Sequence, residues 1–158
     1  MVKIRAARKE DLEKLAKVYV EVYRVFDVGE KWTQDSAYKL LDYWLIRQPD
    51  LAFVAEEDDS LIGAFFVGVK PWWDGNHLVE GEIFVDPAHQ AQGVGKKLLK
   101  IVLGKALEKY QVTFWDTITF RRFDFPLNWY KKIGMEEVLE WVLVNGDVKS
   151  IMKSLMLR

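Results

Sequence analysis

Residues 78–120 constrain this chain more than any other part of it. An apolar β-rich run, residues 78–85, is ended by Asp86-Pro87. A glycine-marked turn then opens a long helix pattern, residues 93–109, with Leu98, Leu99, Val102, Leu103, Ala106 and Leu107 on one wide apolar stripe. A second β-rich run, residues 113–120, follows. Two strands joined through a helix need a crossover, so they lie parallel in one sheet.

The rest of the chain places antiparallel elements around this unit. Residues 2–6 alternate like a short strand, and from Lys9 the positions Leu12, Leu15, Ala16, Tyr19, Val22 and Tyr23 follow helical spacing. Residues 25–31, with Gly29, read as a loop. Residues 34–47 read as a second helix that turns Leu40, Leu41, Trp44 and Leu45 inward and ends before Pro49. Residues 51–56 and 61–69 form a hairpin across Glu57-Asp58-Asp59-Ser60, and residues 70–77, holding Pro71, Trp72, Trp73 and Gly75, read as a loop. A short helix over 126–133 stops at Gly134. Strands over 135–144 and 148–157 flank Asn145-Gly146, a strong hairpin-turn pair. The predicted order is β-α-α-β-β-β-α-β-α-β-β. That is an α/β (α+β) fold with a mixed, mostly antiparallel sheet of about seven strands and helices packed on it. No linker or repeat interrupts it, so residues 1–158 are expected to form one domain.

Composition removes several function classes. Half of the 158 residues are hydrophobic, enough to build a core without a metal or disulfide staple. With 23 Lys+Arg against 24 Asp+Glu, the net charge of -1 argues against nonspecific nucleic-acid binding, which rests on many phosphate contacts. The absence of Cys excludes thiolate nucleophiles and thiolate metal sites. His77 and His89 have no partners at ligand spacing, so no metal is expected. No apolar run approaches the ~20 residues of a membrane span. The start Met1-Val2-Lys3-Ile4-Arg5 lacks a signal-peptide core. A cytoplasmic protein with no membrane partner is the expectation.

The turn between strand and helix carries the chemistry. It reads Gln90-Ala91-Gln92-Gly93-Val94-Gly95-Lys96-Lys97. Glycine lets a phosphate approach the backbone with no Cβ in the way. The first helical turn offers unpaired N–H groups and the positive end of the helix dipole. Lys96 and Lys97 add charge. The spacing is neither the dinucleotide fingerprint nor the P-loop. It is [RQ]-x-x-G-x-[GA] after a strand, here Gln90-x-x-Gly93-x-Gly95. On this motif, on Ile83-Phe84-Val85-Asp86-Pro87 before it, on the element order and on Tyr130-Lys131-Lys132-Ile133-Gly134-Met135, the chain resembles the GNAT superfamily of N-acetyltransferases. Met135 replaces the usual aromatic.

The resemblance implies that Gln90, Ala91, Gln92, Gly93, Val94, Gly95 and Lys96 hold the pyrophosphate of acetyl-CoA through backbone amides. It implies that Ile83, Phe84 and Val85 run beside the pantetheine and acetyl groups, with Phe84 or Val85 N–H donating to the oxyanion. Acyl transfer also needs a base for the amine and an acid for the departing thiolate. Glu82 is the expected base and Glu80 the second candidate, both on the strand entering the cradle and on one face by two-residue alternation. Tyr130 is the expected acid. An Asn frequent in the family seven residues before the Tyr is Phe123 here. The first helices and the loop after the third strand shape the acceptor site in the family, which marks Phe26, Trp32, Trp72 and Trp73 as acceptor-binding residues for an amine, small or on a protein. The reaction implied is direct attack in a ternary complex. Family analogy allows a homodimer through the C-terminal hairpin. The alternatives are a non-catalytic acyl-CoA-binding or sensing domain of the same fold, and a domain whose glycines serve packing alone.

Overall fold

The computed structural model describes residues 1–156, which divide into two compact units, Met1–Ile118 and one beginning at Thr119. The first unit contains β1 (Lys3–Ala6), α1 (Leu12–Phe26), α2 (Gln34–Arg47), β2 (Ala52–Glu57), β3 (Ser60–Trp72), β4 (Gly75–Val85), α3 (Val94–Tyr110) and β5 (Val112–Asp116). The second contains α4 (Asp124–Lys132) and α5 (Val148–Met156).

The strands form one sheet in the order β1-β2-β3-β4-β5. The first three pairings are antiparallel, and β4–β5, the pair joined through α3, is parallel as the crossover requires. Helix α1 buries Leu12, Leu15, Ala16, Tyr19 and Val22, all marked by its spacing, while Tyr23, also marked, is part-buried against the same core. Helix α2 starts at a reciprocal cap, in which Ser36 N–H donates to Thr33 Oγ1 (3.1 Å) and Thr33 N–H to Ser36 Oγ (2.9 Å). Together with Val54, Ala64, Phe66 and Phe84, these helices build the core on one face of the sheet. Phe65 and Val67 alternate with Phe66, are equally buried and face the other way, where α3 packs across β2, β3 and β4. No helix among the described residues is long and apolar enough to cross a membrane.

Three expectations are corrected. The described residues form five strands, not about seven. Residues 135–144 contain no strand, and 148–156 are helical; Leu157, the end of the predicted last strand, lies outside the described residues. At this point a helix-start signal overrides a turn signal. Asp147 Oδ1 accepts from both N–H and Oγ–H of Ser150 (2.9 Å each), and Val148, Ile151, Met152 and Leu155 recur at helical spacing. Thirdly, residues 70–77 are no loop. Lys70 pairs with His77 and Trp72 with Gly75, so β3 and β4 run on to a hairpin whose tip is Trp73-Asp74. Helix α4 carries extended dihedrals at Phe125, the conformation a following proline imposes.

One irregularity in β4 sets up the site. Phe66 pairs with Glu82, but Gly68 pairs with Val79, so Glu80 and Gly81 together oppose Val67. Both bulged residues have positive φ, 50° and 83°. The expected two-residue alternation is therefore broken: Glu82 shares its face with Val79, not with Glu80.

Candidate active site

β4 loses its β5 neighbour where the bulge begins. The parallel pairing covers Asn76 to Val79 and stops, which leaves residues 80–85 with a sheet partner on the β3 side alone. Asp86 N–H donates to Ile62 O at 2.8 Å, toward β3. Along an antiparallel ladder the backbone groups of successive residues point alternately toward and away from the partner. Glu82 and Phe84 therefore face β3, while Ile83 and Val85 turn their N–H and C=O groups to the open edge. Of the two oxyanion donors expected from sequence, Phe84 N–H is taken up in the ladder and Val85 N–H faces the open edge. Ile83 N–H, named from sequence as a cofactor contact alone, shares that orientation.

The cradle lies at the end of this edge. Gln90 Nε2 donates to Val85 O (2.9 Å), which ties the loop to the open edge. Asp86 Oδ1 accepts from Ala88 N–H (2.8 Å) and starts a short 3-10 turn, Pro87–His89. Ala91 and Gly93 both take positive φ, 59° and 82°, and Gly93 is the N-cap of α3. The first bond of that helix is Lys97 N–H to Gly93 O, 3.1 Å. Val94, Gly95 and Lys96 thus occupy the turn whose N–H groups have no intrahelical acceptor. A Cβ built on Gly93 meets nothing within 4 Å. The glycine is needed for its backbone conformation, and the space beside it is open. An exposed concavity of N–H groups at the start of a 17-residue helix, with Lys96 and Lys97 exposed beside it, fits a pyrophosphate.

Gly93→Ala is expected to weaken coenzyme A binding about tenfold or more, measured by calorimetry, since a methyl group would enter the phosphate space. The fold should lose only about 1 kcal/mol, because nothing in the protein opposes the new Cβ. Unchanged affinity would remove Gly93 from the cradle.

Glu82 has the environment of a base. Its Oε2 accepts from Tyr19 Oη at 2.9 Å. Tyr19 is 1% exposed, and burial together with the neighbouring Glu82 charge holds its phenol well above the usual range. Burial pushes the Glu82 carboxyl up to about 7; the Tyr19 hydrogen bond works against that shift, and the charges of Glu30 and Glu80 add to it. A carboxyl that titrates near neutrality is suited to accept a proton during catalysis. Glu80 is exposed, at the outer side of the bulge.

Trp32 stands edge-on to Tyr19 at 5.2 Å and to Tyr23 at 5.9 Å, and its Nε1–H donates to Glu30 (2.7 Å). Phe26, the last residue of α1, packs against the same core. These two acceptor candidates share the Glu82 end of the sheet. Trp72 and Trp73 do not. They sit at the β3–β4 hairpin tip, 39% and 87% exposed, roughly 20 Å along β4 from Glu82. There Lys70 Nζ lies 4.0 Å from the Trp72 ring centroid, and the buried His77 bridges Asp116 (2.6 Å) and Asp74 (2.9 Å). Hydrogen bonding to Asp116 raises the His77 pKa against burial. No group of three or more metal-ligating side chains is gathered among the described residues.

Tyr130 belongs to the second unit. It is 8% exposed on α4, packed edge-on to Trp129 at 5.2 Å, and its carbonyl accepts from Ile133 and Met135 N–H. Phe123 is the N-cap of that helix.

A cavity of about 300 Å³ adjoins Glu82, lined by Leu40, Tyr43 and Trp44 of α2, by Glu80, Gly81 and Glu82, and by Thr117 and Ile118. The sequence pattern turns Leu40 and Trp44 inward on their helix but does not join them, Tyr43 or Tyr19 to Glu82. Helical spacing says which face is buried and not what lies across from it.

Comparison with known proteins identifies the family. Residues 12–135 match the model of the acetyltransferase (GNAT) family. An uncharacterized N-acetyltransferase of Archaeoglobus fulgidus is 34% identical over 114 residues, which span 68% of this chain and 76% of that one. Another, from Methanocaldococcus jannaschii, is 29% identical over 85% of this chain, which spans 60% of that protein's length. In fold, the chain is similar to a predicted acetyltransferase of Clostridium acetobutylicum crystallised with acetyl-CoA, with a TM-score of 0.69, 17% identity, and coverage of 92% of this chain and 96% of the other. With the family model spanning most of its length, this chain belongs to the GNAT family of N-acetyltransferases, which draw their acetyl group from acetyl-CoA.

Proposed function

We propose that this chain moves the acetyl group of acetyl-CoA to a primary amine by direct attack in a ternary complex, with residues 1–158 acting as one catalytic domain. The observation that carries the reading is the juxtaposition, on one strand, of an open backbone edge at Ile83 and Val85 with a carboxyl at Glu82 that titrates near 7.

Bound acetyl-CoA would supply an electrophilic thioester carbonyl and a thiolate leaving group. The loop from Gln90 to Lys96 would hold its pyrophosphate, and Ile83 and Val85 would align its pantetheine arm by backbone hydrogen bonds. Glu82 would take a proton from the incoming ammonium, which is not nucleophilic until neutral. The N–H group of Val85 would donate to the carbonyl oxygen as it gains charge. Tyr130 would return a proton to the sulfur. No Cys is available for an acyl-enzyme, in keeping with direct transfer.

Amine-dependent release of free thiol from acetyl-CoA tests the reaction. A preparation that binds coenzyme A yet releases no thiol with any primary amine would sink it. For the acid, Tyr130→Phe is expected to lower kcat about 10- to 100-fold with coenzyme A affinity unchanged within about twofold. Equal turnover by the variant would remove Tyr130 from the mechanism.

A further inference from the structure

The cavity beside Glu82 points to the kind of amine that reacts there. At about 300 Å³ it lies at the small end of ligand pockets. Its α2 wall is Leu40, Tyr43 and Trp44, an aliphatic and aromatic surface. Its β4 wall presents Glu80 and Glu82, and no Lys, Arg or His is among the lining residues. Arg47, one turn further along α2, is outside the lining; it donates to the Tyr43 hydroxyl at 2.9 Å, and its guanidinium lies 5.8 Å from the Tyr43 ring centroid and 5.9 Å from that of Trp44. The two carboxylates differ in setting. Glu82 is shielded and bonded to Tyr19, the arrangement of a proton acceptor. Glu80 is exposed, swung out at φ 50° on the bulge, where it offers a fixed negative charge at the cavity's rim.

We propose that the acceptor is a small alkyl diamine. One amine reacts at Glu82, the aliphatic stem lies along Leu40 and Trp44, and the second ammonium is held by Glu80. A monoamine of the same length leaves Glu80 without its counter-charge. An ω-amino acid sets a carboxylate against two others. The inference rests on the acetyl-transfer reading of the same site. In that reaction the C–N bond forms as the C–S bond breaks. One ammonium proton passes to Glu82, the attacking nitrogen gives up a second as the amide forms, which balances the proton that leaves on the thiol, and the product keeps a single positive charge.

The test is calorimetry on the whole chain saturated with coenzyme A, near pH 8, with 1,4-diaminobutane, n-butylamine and 4-aminobutyrate. The diamine is expected to bind about tenfold more tightly than butylamine, and 4-aminobutyrate about tenfold more weakly than butylamine. Glu80→Gln should bring the diamine down to butylamine's affinity without changing coenzyme A binding. Should that variant not fold, rising ionic strength on the native chain must weaken the diamine more than butylamine. Equal affinity for the first two amines, tighter binding of 4-aminobutyrate, or binding of none of the three would overturn the assignment. A diamine that binds in this order and is never acetylated would instead overturn the catalytic reading. Acetylation of other amines by a protein that ignores diamines would do the reverse.

Discussion

Glu82→Gln is expected to lower kcat/KM for the acceptor amine about 10²- to 10³-fold, the usual contribution of a positioned base. In the native chain kcat/KM should rise with pH through about 7, as the Glu82 carboxyl ionises. In the variant that limb should vanish. The same substitution should stabilise the fold at alkaline pH. The Glu82 carboxyl titrates near 4.5 when unfolded and near 7 when folded, so the folded chain favours its neutral form. Its contribution to stability is fully present below 4.5 and is lost as pH rises through 7. Gln is neutral throughout, can still accept from Tyr19 Oη, and avoids the burial of a charge. At pH 8 the variant should gain about 1–2 kcal/mol, or several degrees in Tm, after allowance for the solvent that reaches a half-buried group. At pH 4.5 the gain should be near zero. A structural carboxylate would give the opposite pattern, with stability lost and rate little affected. An unchanged rate and pH profile would remove Glu82 from the chemistry.

Gly81→Ala is expected to cost about 3–5 kcal/mol and to lower Tm by roughly 10 °C. The added Cβ would lie 2.1 Å from Phe66 O and 2.8 Å from Val67 Cα, both backbone atoms that cannot swing aside. The residue also holds φ at +83°, where an L side chain is strained. Relief requires the bulge to flatten. That would restore two-residue alternation, move Glu82 off the Tyr19 side of the sheet and narrow the gap between β4 and β5. Whatever protein remains folded should therefore show reduced kcat as well as reduced Tm. Thermal unfolding and steady-state kinetics on one sample decide it. A variant with native Tm would mean that the bulge is not required at Gly81.

The two substitutions are linked through a single backbone device. The bulge ends the β4–β5 pairing, exposes the edge that Ile83 and Val85 present, and places Glu82 against α1. Electrostatics and strand geometry thus depend on the same two residues, Glu80 and Gly81.

Local signals carried far in this chain. The strand–turn–helix stretch into α3 was legible because glycine spacing, helix stripe and crossover rule are all short-range. Helix α2 was predicted at its observed limits, Gln34–Arg47, since the Thr33 cap and the apolar spacing act within a few residues. The C-terminal region misled because two local signals compete there: Asn145-Gly146 favours a hairpin turn, while Asp147 caps a helix, and the helix prevails in residues 148–156.

The Gln90–Lys96 cradle is a property of the sequence itself, because left-handed glycine and a helix start need only neighbouring residues to form. The base is not. Glu80 and Glu82 are alike in the sequence, two residues apart on one predicted strand. The sheet alone separates them, by letting Val67 face two residues, sending Glu82 under Tyr19 and leaving Glu80 in water. Proton affinity follows burial and nearby charge, and both are set by residues far away in the chain, Tyr19 and Glu30 among them. For the same reason Trp72 and Trp73, rich in promise as a sequence pair, stand at the far hairpin tip, while the cavity beside Glu82 is walled by α2.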